Sequence, residues 1–142
     1  MKRQRRPEIR TAILRRALNA NYRLGKLENA LLLAEFAARK DAPEALRAEA
    51  LQLFAQWPKP SQRDPFLGLW RPLPARDSRS ASLALRRDLP TILRDAPERV
   101  RIAAINAAVQ LEISTVTPVL TGLVANTKLS SDVRIEALKG LQ

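Results

Sequence analysis

Asp41-Ala42-Pro43-Glu44-Ala45-Leu46-Arg47-Ala48-Glu49-Ala50-Leu51 aligns without a gap on Asp95-Ala96-Pro97-Glu98-Arg99-Val100-Arg101-Ile102-Ala103-Ala104-Ile105. A third copy, Ser130-Ser131-Asp132-Val133-Arg134-Ile135-Glu136-Ala137-Leu138, keeps the second half of the pattern, and Pro7-Glu8-Ile9-Arg10-Thr11-Ala12-Ile13-Leu14 is a weaker fourth. The shared arginines Arg10, Arg47, Arg101 and Arg134 stand 37, 54 and 33 residues apart. Two of these spacings are the length of a helical-pair repeat, and the long one implies an insertion.

Each copy reads as a helix with a marked start. Asp41 and Asp95 offer side-chain oxygens near the helix entrance, and Pro43 and Pro97 suit a first helical position, where a missing N–H is harmless. Glu44 and Glu98 put negative charge in the first turn, where the helix dipole favours it. Apolar residues then recur at helical spacing: Leu46, Ala50, Leu53, Phe54 and Trp57 in one copy, Val100, Ala104, Ala107, Ala108 and Leu111 in the next. A second set, Leu14, Leu51, Ile105 and Leu138, follows the alanine position, so each helix is expected to be covered on two sides. Ile9, Ile13, Ala17 and Ala20 fit the packing stripe of the first helix. Further helical runs precede these helices at Asn29–Arg39, Leu83–Arg94 and Thr117–Asn126, with Pro90 expected to break or kink the second. The order helix, turn, helix, repeated, predicts an all-α chain built as a right-handed α-α superhelix.

Residues 58–78, PKPSQRDPFLGLWRPLPARDS, form the insertion. Pro58, Pro60, Pro65, Pro72 and Pro74 exclude a regular helix and favour an extended loop. Phe66, Leu67, Leu69 and Trp70 are apolar enough that the loop is expected to lie on a neighbouring surface. The units are then a basic N-terminal arm and helix (1–26), a repeat (27–57), the Pro/Trp insertion (58–78) and two repeats (79–112 and 113–142).

Composition narrows the function. The 142 residues include no Cys and no His, which removes disulfides, thiol nucleophiles, typical zinc sites and Ser-His-Asp triads. Glu35, Glu49 and Glu136 sit on helical runs as ordinary charged-face residues, so no catalytic residue, no metal ligand and no cofactor site is assigned. Hydrophobic residues at 46% with 27% charged residues fit a folded domain, and aromatics at 4% leave the core to Leu, Ala, Ile and Val. The net charge is +11. Most of it lies in residues 1–26, where Lys2, Arg3, Arg5, Arg6, Arg10, Arg15, Arg16, Arg23 and Lys26 face one acid, Glu8. No stretch approaches the roughly 18 apolar residues of a membrane span. MKRQRR resembles the basic end of a signal peptide, but the following PEIRTAILRRALNANYR is too charged for an apolar h-region.

At the aligned segments the sequence resembles the HEAT-repeat (armadillo-like) family, whose pattern has Asp, a nearby Pro, an apolar residue followed by Arg, then Ala and Leu. Asp41 with Arg47 and Asp95 with Arg101 match it, both six apart. The resemblance implies an Asp–Arg ladder between repeats, continued by Arg134, although Lys128 and Gln4 replace the Asp in the last and first copies. More narrowly, Trp57-Pro58-Lys59-Pro60 followed by Gly68-Leu69-Trp70-Arg71-Pro72-Leu73-Pro74 resembles the HEAT segment of planctomycete-type multidomain dehydrogenase/cytochrome c-like proteins. There a solenoid joins a propeller domain to a cytochrome c domain. The haem-attachment motif is absent here, so no cofactor carries over. That resemblance implies a piece of a longer, periplasmic parent; otherwise the chain is expected in the cytoplasm.

The expected function is a non-catalytic scaffold that meets a protein partner or other domains of a parent chain. Phe66, Leu69, Trp70 and Arg71 are its candidate contacts, because Trp and Arg on a loop grip partners well. The competing account of the insertion is a flap covering a groove between repeats. The alternative function is nucleic-acid binding by the basic arm, which lacks aromatic residues for base stacking within residues 1–16. Ala137, Leu138 and Leu141 stay apolar in the last helix, which implies a fragment of a longer array or an end-to-end oligomer.

Overall fold

The computed structural model describes residues 5–142, with the side chain of Arg5 excepted; Lys2, Arg3 and Gln4 of the basic arm lie outside the described residues. These residues form eight α-helices and no strand: α1 (Arg5–Leu24), α2 (Leu27–Ala38), α3 (Glu44–Ala55), α4 (Arg79–Arg86), α5 (Leu89–Asp95), α6 (Glu98–Gln110), α7 (Thr117–Ala125) and α8 (Ser131–Gly140). A single 3-10 turn, Ser114–Val116, leads into α7.

The helices pair in chain order: α1 with α2, α2 with α3, α5 with α6 and α7 with α8. Successive pairs touch through like members, α3 on α6 and α6 on α8, while α2 meets α4 and α5 meets α7. Small residues permit the close approach at the centre. Ala48 and Ala50 of α3 and Ala104 and Ala107 of α6 are fully buried, and the larger Leu46, Leu51, Phe54, Val100 and Ile105 fill the space beside them.

The first connection turns tightly because Gly25 takes φ +68, the left-handed region that glycine enters without strain. Its N–H closes onto the Asn21 carbonyl, and buried Asn29 of α2 donates to the Asn21 side chain at 2.9 Å. Pro90 stands in the first turn of α5, where its ring is tolerated, and the expected Leu83–Arg94 run is divided there into α4 and α5. The first of these begins earlier than expected, at Arg79.

Three local expectations are corrected. Pro43 and Pro97 are N-cap residues with extended ψ of 131° and 155°, not first helical residues, and neither Asp41 nor Asp95 caps the helix that follows. The Ser130 copy does have a side-chain cap at this place, with the Ser130 hydroxyl accepting from Val133 N–H. On α1, Ile9, Ile13, Ala17 and Ala20 face solvent, and the packed stripe is Leu14, Leu18 and Tyr22. Alanines and isoleucines occupy the outer face while larger residues anchor the inner one, so hydrophobicity alone misplaces the stripe. Leu138 is 50% exposed, on the face of α8 that the described helices leave uncovered, although its neighbour Ala137 is fully buried.

Candidate functional site

Residues 58–78, between α3 and α4, hold the largest group of sequence-nominated contacts, and two anchors fix them. At the base, the Arg76 guanidinium lies 3.9 Å from the Trp57 ring centroid and 4.5 Å from that of Tyr22. It also donates to the Trp57 carbonyl at 3.0 Å and to the Tyr22 carbonyl at 2.6 Å. Trp57 stacks on Phe54 and meets Tyr22 edge to face. One cation therefore ties the return of the loop to the ends of α1 and α3. Burial pushes the Arg76 pKa down and is the main cause raising that of Tyr22.

At the outer end, Asp64 organises a turn. Its Oδ1 accepts from Phe66 N–H at 2.9 Å and Leu67 N–H at 3.1 Å, and its Oδ2 accepts from Arg71 Nη1 at 3.2 Å. Asp64 N–H bonds to Leu69 O, and Gly68, at φ +63, donates to Asp64 O. Arg63 and Trp70 form an antiparallel bridge, continued by Arg71 N–H to Gln62 O. The two main-chain donors hold the Asp64 carboxyl below the usual carboxylate range, with Arg71 adding to the effect.

This turn presents its apolar residues outward. Trp70 is 67% exposed and Leu67 and Leu69 are 59% exposed each. The flap account fails for this tip; it applies only lower down, where Pro60 is buried and Leu73 is packed against the core. Phe66, half-exposed, sits beside Pro65 at the rim of a shallow groove with Leu18 and Leu53 on its floor. Arg71 faces inward to Asp64, and its carbonyl accepts from Arg23 of α1. Thus Leu69 and Trp70 are both exposed on the turn, while Arg71 serves the turn from within.

Among the described residues the expected Asp–Arg ladder does not form. Asp41 pairs instead with Arg39, two residues away. Asp95 takes part in none of the ion pairs among the described residues. The arginines turn to main chain: Arg47 Nε donates to Ala37 O at 2.9 Å, Arg134 Nε to Val124 O at 3.0 Å and Arg101 Nη2 to Arg94 O at 2.6 Å. Each acceptor lies in the last turn of the preceding helix, where carbonyls lack an intrahelical partner and carry the negative end of the dipole. A link between repeats does exist, but through other atoms: Ser130 Oγ donates to Glu98 Oε1 at 2.6 Å. Arg15 on α1 makes a two-bond pair with Glu49 on α3, both at 2.7 Å.

Asp64 and Arg76 are the residues that sequence reasoning missed. The first had a signal, since Asp-Pro followed by Gly68 is turn chemistry. The second had none, because its partners are carbonyls and rings far along the chain. Among the described residues no group of three or more acidic residues is gathered as a metal site, and no helix is long and apolar enough to cross a membrane. Comparison with protein-family models, with curated proteins and with solved structures returns no match.

Proposed function

We propose that this chain is a non-catalytic HEAT-like helical-repeat scaffold whose 64–71 turn grips a protein partner or another domain of a parent chain. The observation that carries the reading is Trp70, 67% exposed with Leu69 beside it on a turn pinned by Asp64 and Arg76. A large aromatic held outward on a braced turn loses little side-chain freedom on binding, which favours it as an anchor. Support for a stacked superhelix comes from the contacts of α3 with α6 and α6 with α8, and from the arginine-to-carbonyl bond repeated in three pairs. Photo-crosslinking from position 70 in source cells tests the function. One dominant adduct, lost on Leu69→Asp and absent when the probe sits at exposed Asn106, is expected. Equal labelling from both positions would sink it.

Nucleic-acid binding is the second reading, favoured by Arg6, Arg10 and Arg16, which are exposed on α1 and join no ion pair among the described residues. Binding to random-sequence DNA that weakens steeply with salt, and is abolished by charge reversal of these three, would favour it over the scaffold.

A further inference from the structure

Two pockets occupy equivalent places in successive helical pairs, and their charges differ. The first, between α2, α3 and α5, is lined by Lys40 and Arg47 on one wall and by Asp88 and Asp95 on the other. The second, of about 390 Å³ between α5, α6 and α7, has Arg94 and Arg101 at the positions of Lys40 and Arg47, shifted 54 residues along the chain. Its far wall is offset by 31 residues: Val119 replaces Asp88, Gly122 replaces Thr91, Leu123 replaces Ile92 and Asn126 replaces Asp95. The buried pairs Leu89/Ile92 and Leu120/Leu123 fit the same offset. Both carboxylates are therefore gone from the second pocket while both cations remain.

No carboxylate among the described residues pairs with Arg94 or Arg101. Arg101 Nη2 is spent on the Arg94 carbonyl, and its Nε is shielded from solvent with no acceptor. Pro118, Val119, Leu123 and Leu129 form an apolar wall beside uncharged Asn126, and a Cβ at Gly122 would meet no atom within 4 Å, so the pocket is open there. The volume falls in the range of about 300–1,000 Å³ typical of small-ligand sites.

We infer that the pocket between α5, α6 and α7 binds an aliphatic carboxylate, its charge at Arg94 and Arg101 and its hydrocarbon stem against Val119, Leu123 and Leu129. A planar carboxylate suits guanidinium donors, and the apolar wall favours an acid with a stem over a bare oxyanion. The acid is either a free short-chain acid or the C-terminal carboxylate of an apolar residue on another chain. Both present the same chemistry.

Hexanoate titrated into the full chain, followed by amide and methyl NMR, tests this. Saturable shifts at Gly122, Leu123 and Leu129 are expected, with hexan-1-ol binding at least about tenfold more weakly for want of the charge-assisted bonds. Val119→Asp with Asn126→Asp copies the sister pocket and should abolish binding. Gly122→Leu fills the pocket with a better helix former and should also abolish binding, which guards against misfolding of the acidic variant. An acetylated tripeptide ending in leucine, compared with its amide, assigns the source: tighter binding of the free-acid peptide than of hexanoate points to a chain terminus, and the reverse to a free acid. No shift with either acid, equal binding of hexanol, or equal competition by sulfate would overturn the inference.

Discussion

Arg47 reaches ten residues back along the chain to place its Nε 2.9 Å from the carbonyl oxygen of Ala37. The helix holding Ala37 ends one residue later, so this carbonyl is one that the helix itself leaves without a partner. Arg134 repeats the bond to Val124 at the same ten-residue offset, at the end of α7. In the middle pair the offset to Arg94 is seven, and there the first helix is divided at Pro90. Arg47, Arg101 and Arg134 therefore each close a hairpin upon itself: the second helix caps the first. Arg47 is only 5% exposed, so its charge is worth most where carbonyl dipoles receive it.

Arg47→Met keeps the stem's packing and removes the donor. It should cost about 1–3 kcal/mol in urea unfolding, the usual range for stranding a buried polar group. Arg47→Lys should rescue little, because an ammonium cannot reproduce a planar Nε–H held by a packed guanidinium. Asp41→Ala, by contrast, breaks only an exposed pair with Arg39 and should leave the urea midpoint essentially unchanged. If Asp41→Ala costs as much as Arg47→Met, the capping role is wrong.

The helices were legible because helical period is a local property, and α2, α3, α6, α7 and α8 all lie on runs marked from sequence. The partner of each arginine was not legible. A family pattern with Asp six residues ahead suggests an ion pair, yet geometry puts a main-chain oxygen nearer. Side-chain to main-chain bonds leave no trace in residue identity at the acceptor, since every residue has a carbonyl. The same reason hid Arg76, whose acceptors are Trp57 O and Tyr22 O. For Trp70 the sequence offered both an anchor and a flap; its exposure depends on the direction of a turn set by Asp64.

The two-sided burial of the middle helices predicts graded costs. Leu51→Ala and Ile105→Ala, at 0% and 1% exposure, should each lose about 2–5 kcal/mol, the sum of transfer and cavity terms. Leu138→Ala and Ile13→Ala, at 50% and 62% exposure, should lose under about 1 kcal/mol. Chemical denaturation of the four variants checks this. Near-equal losses at Leu51 and Leu138 would mean that a further surface covers α8 in solution.

The Arg76 clamp predicts both a mutational and a pH effect. Arg76→Ala removes two main-chain hydrogen bonds and two ring contacts, and a loss of about 2–4 kcal/mol is expected with altered near-ultraviolet circular dichroism from Trp57. Gly25→Ala should behave similarly, because its Cβ would run into the Arg76 guanidinium and its φ is left-handed. Tyr22 adds the pH dependence. Burial raises its folded pKa above the unfolded value of about 10, so the unfolded chain loses the phenolic proton first. The stabilisation from neutral Tyr22 is complete below pH about 10 and is lost as pH rises through the folded pKa. Stability curves of wild type and Tyr22→Phe should therefore diverge only at alkaline pH, with the variant losing less.

Asp64 should make the outer turn acid-sensitive while the helices stay folded. Its folded pKa lies below the unfolded value, so its contribution is present above the usual carboxylate range and disappears as pH falls through the folded pKa. The Trp70 indole resonance should move in that window, and amides of Asp64 and Arg71, bonded across the turn, should lose protection. Substitutions separate charge from geometry. Both main-chain bonds end on Oδ1, so Asp64→Asn can keep them and lose only the Arg71 contact; the turn should survive and its acid transition vanish. Asp64→Ala removes all three, and exchange at Arg71 should accelerate by about tenfold or more at neutral pH. Acrylamide should quench Trp70 freely and leave Trp57, fully buried, emitting at short wavelength. An acid transition of Trp70 that persists in Asp64→Asn would show that another group controls the turn.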